Sequence, residues 1–157
     1  MNTSLILRFA GLAVIASLST ALAVAGEPRQ GKIAQPQMTV FKDPNCGCCK
    51  VWVEYVRKHA FTVTTKDTSD LTAIKQSARV PAAHRSCHTA FVNGYVIEGH
   101  VPIEDIKRLL AEKPKVAGLA VGGMPIGSPG MEVGNRKEAY DVIAFTRDGT
   151  TRVFAKH

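Results

Sequence analysis

Beyond residue 37 the hydrophobic pattern switches repeatedly between a period of two and a period of three to four, and each switch marks an element. Met38-Thr39-Val40-Phe41 is short and apolar, which predicts a strand over 38–41. Asp43-Pro44-Asn45 is turn chemistry, with Asn45 placed to cap a following helix. Over 49–60 the apolar positions Cys49, Trp52, Val53, Val56 and Ala60 recur at spacings of three and four, one face of an amphipathic helix. Trp52, on that face, reads as core. Residues 61–65 alternate and are β-branched, so they read as a strand, and 70–78 reads as a short helix before Pro81. Phe91-Val92 and Tyr95-Val96-Ile97 flank Asn93-Gly94, a strong hairpin signal. The two-residue turn sets Val92 against Tyr95, Phe91 against Val96 and Ala90 against Ile97. Extended further, the same ladder places Cys87 opposite His100 and turns His88 to the other face. Both faces of this hairpin are apolar, which predicts a central position covered on both sides. Pro102 opens a helix over 103–112 with Ile103, Ile106, Leu109 and Leu110 on one face. Residues 118–130 form a Gly/Pro-rich stretch, and 140–145 with 151–154 flank Asp148-Gly149 as a second hairpin.

The order strand, helix, strand, short helix, hairpin, helix resembles the thioredoxin fold. The resemblance implies an α/β domain over 38–157: a central mixed β-sheet flanked by helices, with an extra C-terminal β-hairpin. It also implies that the turn after the first strand carries the chemistry. Residues 26–37 are rich in Gly, Pro and Gln and lack apolar periodicity, and so read as a tether. Ahead of them, one basic residue (Arg8), an apolar stretch over 9–24 and small residues around Ala21, Ala23 and Ala25 make a signal peptide over 1–25. The apolar stretch is shorter than the roughly 20 residues a membrane span needs. The expected location is therefore the periplasm, with no membrane association after cleavage.

Composition narrows the class further. The chain has 157 residues, enough for one ordinary domain. Its charge is +7, but the basic residues form no run and aromatics are 6%, so no nucleic-acid surface is expected. There are four cysteines, too few for a disulfide scaffold. Three of them, Cys46, Cys48 and Cys49, crowd the predicted helix start.

Cys46 and Cys49 make a C-x-x-C pair on one helix face, where the helix N-terminus favours thiolate. Alone, that suits a thiol–disulfide oxidoreductase in which Cys46 attacks and Cys49 resolves. Cys48 fits that role poorly, and three adjacent thiolates fit a soft-metal nest. In thioredoxin-like folds the residue before the hairpin packs against the C-x-x-C turn. Here it is Cys87, which should therefore point at the other three. Four convergent thiolates take Cu(I) or zinc. Cys48 and Cys49 are awkward as two terminal ligands of one ion, and bridging sulfurs favour copper, in more than one ion. His100 and His88 are auxiliary candidates, and Met124 and Met131, in a Gly/Pro-rich loop, are thioether candidates. A c-type haem is excluded, because Lys50 and not His follows Cys49.

The runs Lys42-Asp43-Pro44-Asn45-Cys46-Gly47-Cys48-Cys49, Ser86-Cys87-His88-Thr89 and Gly94-Tyr95-Val96-Ile97-Glu98-Gly99-His100-Val101-Pro102 together resemble the CopG-type family of small exported proteins associated with copper resistance. The resemblance implies copper held by Cys46, Cys48, Cys49 and Cys87, and conversion between Cu(I) and Cu(II). Other periplasmic copper-handling or redox proteins are then candidate partners. The competing expectations are the dithiol oxidoreductase and a structural zinc site, which would make metal essential for folding.

Overall fold

A computed structural model describes residues 34–157. The expected signal peptide and most of the tether lie outside the described residues. Strand β1 (Gln37–Lys42) is followed by helix α1 (Gly47–Lys58), strand β2 (Thr62–Asp67) and a short helix α2 (Thr72–Ser77). A 3-10 turn at Ala82–His84 leads into the hairpin β3 (His88–Val92) and β4 (Tyr95–Glu98). Helix α3 (Ile103–Glu112), strand β5 (Gly118–Ala120) and the hairpin β6 (Asp141–Phe145) and β7 (Thr151–Lys156) complete the chain. The strands form one mixed sheet ordered β2-β1-β3-β4-β5-β6-β7. Its first four strands have the thioredoxin-like order, and the C-terminal hairpin extends the sheet on the far side of β5. Among the described residues no helix is long and apolar enough to cross a membrane.

The hairpin register is the one its turn dictates. Asn93 and Gly94 both adopt positive φ, 46° and 84°, as a two-residue turn matched to strand twist requires. Val92 pairs with Tyr95, Phe91 with Val96 and Ala90 with Ile97. Each face of the hairpin is covered. Ala90, Val92 and Ile97 join the main core with Met38, Val40, Trp52 and Leu109, while Val96 packs with Val80, Ala120 and Phe145 on the other side. Helix α1 buries Cys49, Trp52, Val53 and Val56 at the predicted spacing, and Trp52 is fully buried with its indole N–H donating to the Val101 carbonyl at 3.1 Å. Burying a side chain of this class contributes about 1.5–3 kcal/mol, which ties the start of α1 rigidly to the segment after β4.

Two local readings change. Asn45 is not the helix cap. Asp43 takes the turn instead, its carboxylate accepting from the Asn45 amide at 2.7 Å, and Cys46 becomes the N-cap with its sulfur accepting from the Cys49 amide at 3.3 Å. The helix therefore begins at Gly47, ahead of the expected start at residue 49, and ends at Lys58, before Ala60 (φ 68°). The second change is β5, which lies inside the stretch read as Gly/Pro-rich connection. It runs parallel to β4 with all three residues buried. A Cβ on Gly118 would stand 2.0 Å from the Val96 carbonyl oxygen, so glycine is what allows this strand to pair.

Candidate metal centre

Strand β1, the N-terminus of α1, the segment before β3 and the loop after β5 meet at one end of the sheet. Cys46 caps α1 and Cys48 and Cys49 lie in its first turn, because the Asp43 turn delivers the chain into the helix there. Cys46 and Cys49 form a disulfide, and Cys48 and Cys87 are free thiols. The Cys48 sulfur is 3.5 Å from that of Cys46, and the Cys49 sulfur is 3.8 Å from the Cys87 carbonyl oxygen. All four sulfurs lie within 4.8 Å of one another. Cys49 is fully buried while the other three are partly exposed, so the cluster faces solvent through Cys46, Cys48 and Cys87.

Cys87 stands one residue ahead of β3, and its sulfur lies 3.1 Å from His100 Nε2 and 3.4 Å from His88 Nδ1. His100 is thus across from Cys87, as the hairpin ladder requires. His88, expected on the face opposite Cys87, meets it as well. Its ring packs against Trp52, with centroids 4.4 Å apart, and edge-on to His100 at 5.1 Å. Strand alternation holds only inside the strand. Cys87 precedes it, so its sulfur is free to turn toward the side where both imidazoles lie. Met124 is 51% exposed, with its sulfur 4.0 Å from that of Cys48. Met131 makes no such sulfur contact among the described residues; its backbone closes the loop through Ser128 and Gly127.

Burial sets the electrostatics. The Cys87 thiol is pushed up to about 12 by desolvation and by neighbouring Cys48, so the metal-free protein holds it protonated. Burial holds His88 well below its usual value, assisted by His100 and Lys75, and burial also lowers His100. Both imidazoles are therefore neutral at pH 7, the form that binds metal.

A polar group missed in the sequence supports the segment carrying Cys87. Glu98, fully buried in β4, accepts from Lys75 Nζ at 2.6 Å, from the Ser86 amide at 2.7 Å and from the Thr89 hydroxyl at 2.7 Å. Burial raises the Glu98 carboxyl despite the opposing pull of the Lys75 ammonium. The Ser86 hydroxyl in turn donates to the Gly123 carbonyl, joining this segment to the loop after β5. The readable signal was Glu98 itself: a carboxylate ending a strand expected to be buried on both faces needs a cation. On the other side of the loop, the Pro129 carbonyl meets His100 Nδ1 at 2.8 Å. Gly130 lies against the backbone of α1, where a Cβ would come within 3.0 Å of the Trp52 nitrogen and 3.1 Å of the Cys48 oxygen.

Fold and site together define a thioredoxin-like α/β protein with a sulfur-rich candidate metal centre at the start of its first helix. A family profile described as "Protein of unknown function, DUF411" matches residues 84–131, and no curated protein matches. Two solved structures, titled copper resistance protein CopG, form 1 and form 2, each align with a TM-score of 0.75 at 43% identity, covering 78% of this chain and 98% of theirs. The chain belongs to the CopG copper-resistance family.

Proposed function

We propose that this is a periplasmic copper-binding protein that serves copper tolerance, with Cys46, Cys48, Cys49 and Cys87 as its ligands. The observation that carries the reading is the convergence of four sulfurs within 4.8 Å from two distant parts of the chain. Thiolates are soft donors and select Cu(I). The adjacent pair Cys48 and Cys49 favours bridging sulfurs and hence more than one ion. Met124 extends the ligand set outward from Cys48, and Met131 lacks a comparable contact among the described residues. The Cys46–Cys49 disulfide must be reduced for those two sulfurs to bind. That requirement supports a redox role. Two Cu(II) ions take one electron each from the Cys46 and Cys49 thiols, giving two Cu(I), the disulfide and two protons. The test is titration of the fully reduced protein with Cu(I) under a competing chelator. Cys48→Ser and Cys87→Ser should each weaken binding by at least about tenfold, or 1.4 kcal/mol; unchanged affinity in both overturns the reading.

The disulfide itself favours a second reading, a thiol–disulfide oxidoreductase. Cys46 is partly exposed and Cys49 buried, which suits them as attacking and resolving thiols. Turnover in an insulin-reduction assay that survives Cys87→Ser would favour the oxidoreductase. Metal analysis after growth with and without added copper separates copper from structural zinc.

A further inference from the structure

The two ends of the sheet differ in charge. At the end away from the metal centre β1 and β2 begin, the β3–β4 hairpin turns at Asn93-Gly94, β5 begins beside Val96 and β6 ends at Phe145. Helices α1 and α3 each run toward this end, because each leaves a strand at the metal end and feeds the start of the next strand. Lys58 therefore stands here at the end of α1, and Lys113 and Lys115 lie just beyond α3. Ser77 and Ala78, where α2 ends, share a cleft with Gly94 and with Arg147 of the β6–β7 turn, which brings Arg79 to the same end. Lys107 lines a further cleft with His59 and Phe61. These lysines and arginines are all exposed, and none has an ion-pair partner among the described residues. The carboxylates beside them are Glu112 and Asp148, and Asp148 accepts from the Thr150 amide of its own turn. At the metal end the signs mix: Asp43, Glu104, Glu132 and Glu138 stand among Lys50, Arg85, Arg136 and Lys137. The basic end is assembled from separate segments, so no basic run in the sequence announces it.

Apolar clefts open between these cations. One, of about 360 Å3, is lined by Ala60, Phe61 and Leu110 together with Lys107 and His59. Another, of about 230 Å3, sets Lys113 beside Tyr95 and Leu110. An ammonium beside an apolar cleft suits a phospholipid, whose phosphate meets the cation while its hydrocarbon meets the cleft. The chain also enters the domain here, since Ala34, Gln35 and Pro36 line the larger cleft. Residues 26–33 extend at most roughly 30 Å, so the expected signal peptide, while in a bilayer, holds this end within that distance of lipid.

We infer that the basic end is a docking surface for an anionic phospholipid bilayer, which holds the exported protein at the membrane with its metal end turned away. Each Lys or Arg brought close to such a bilayer strengthens binding roughly fivefold, and salt screens the attraction. The expectation of no membrane association concerned a spanning segment, and surface binding needs none. The inference takes export from the reading above but nothing from copper, so each can fail alone.

The test is co-sedimentation of the exported, metal-free protein with vesicles of phosphatidylglycerol and phosphatidylcholine in equal parts, and with vesicles of phosphatidylcholine alone. Wild type should bind the mixed vesicles at low salt at least about tenfold more tightly than the neutral ones. The difference should vanish in 1 M salt, where the screening length is roughly 3 Å. Lys113→Gln with Lys115→Gln should weaken binding to the mixed vesicles by at least about tenfold. Arg136→Gln with Lys137→Gln removes the same charge from the metal end and should change binding by less than about twofold, because that end lies beyond the screening length. Equal losses from the two pairs would trace binding to net charge and overturn the patch. Equal binding to both kinds of vesicle overturns it too, as does no binding to the mixed ones, the outcome expected of a surface made for an acidic protein. Wild type gives a second check. Nitroxide-labelled lipid headgroups should broaden the amide signals of residues 93–94 and 113–115 more than those of 47–48 and 123–124, and the reverse order overturns the proposal.

Discussion

The sulfur corner at the start of α1 and the imidazole corner at the start of β3 share one residue, Cys87, and are built in opposite ways. The first is local. Cys46, Cys48 and Cys49 come together because a turn at Asp43 runs directly into a helix. It is partly exposed and closed by a disulfide. The second is assembled from residues that only sheet pairing and a covering loop bring together: His88 against Trp52, His100 beneath Pro129, and Ser86 held by Glu98 and, through it, Lys75. A local site tolerates change around it, because its ligands are joined by a few bonds of chain. A site assembled from distant segments inherits the stability of the whole domain. Substitutions should therefore separate the corners by what they disturb.

The largest effect is expected at Glu98. Glu98→Ala leaves the Lys75 ammonium buried and unpaired, which costs about 3–5 kcal/mol. Urea denaturation of the metal-free protein measures this, and Cys48→Ser in the same assay should shift stability by less than about 0.5 kcal/mol. Equal losses from both substitutions would erase the contrast between the corners.

Protonation comes next. Burial lowers both histidines, so the folded protein binds fewer protons than the unfolded chain between their folded values and the ordinary histidine value of 6.5. Stability from this source is complete above pH 6.5 and is lost as the pH falls toward the folded values. Denaturation midpoints of the metal-free protein measured from pH 8 down to 5 should fall through that window, and His100→Gln should flatten the slope.

Thiol reactivity gives a finer separation. With its thiol pushed up to about 12, Cys87 in the metal-free protein should react with iodoacetamide at pH 8 at least about 100-fold more slowly than a model cysteine. Mass spectrometry of timed digests reads this directly. The smallest effect is expected at the rim. Met124 is 51% exposed, so Met124→Leu should leave stability within about 0.5 kcal/mol. Its Cu(I) affinity should drop by less than about tenfold, since thioethers are weak auxiliary donors.

The two corners were also unequally legible. The C-x-C-C run and the Asn93-Gly94 turn are short-range signals, and the ladder extended from that turn correctly brought His100 to Cys87. The sequence set Cys87 on the face opposite His88 because alternation was extended one residue past the strand, where the backbone no longer enforces it; His88 itself keeps the Trp52 face with Ala90 and Val92. Strand β5 was invisible because three residues with a glycine at their head carry no period. Its pairing depends on a close approach to Val96 that only the packed sheet defines. Asn45 had the chemistry of a cap, but the Asp43 turn places the next residue, Cys46, at the helix N-cap.

By itself, the sequence determined which atoms are available and which strands face each other. Three of the four cysteines lie within four residues, and a two-residue turn permits one register, because covalent connection limits both choices to a few conformations. The tertiary structure alone decided which neutral imidazole faces Cys87, which carboxylate holds its backbone and which carbonyl orients His100. Those contacts join residues 12 to 29 positions apart. They form only when apolar surfaces on both sides of the sheet have excluded water and left the buried polar groups to one another.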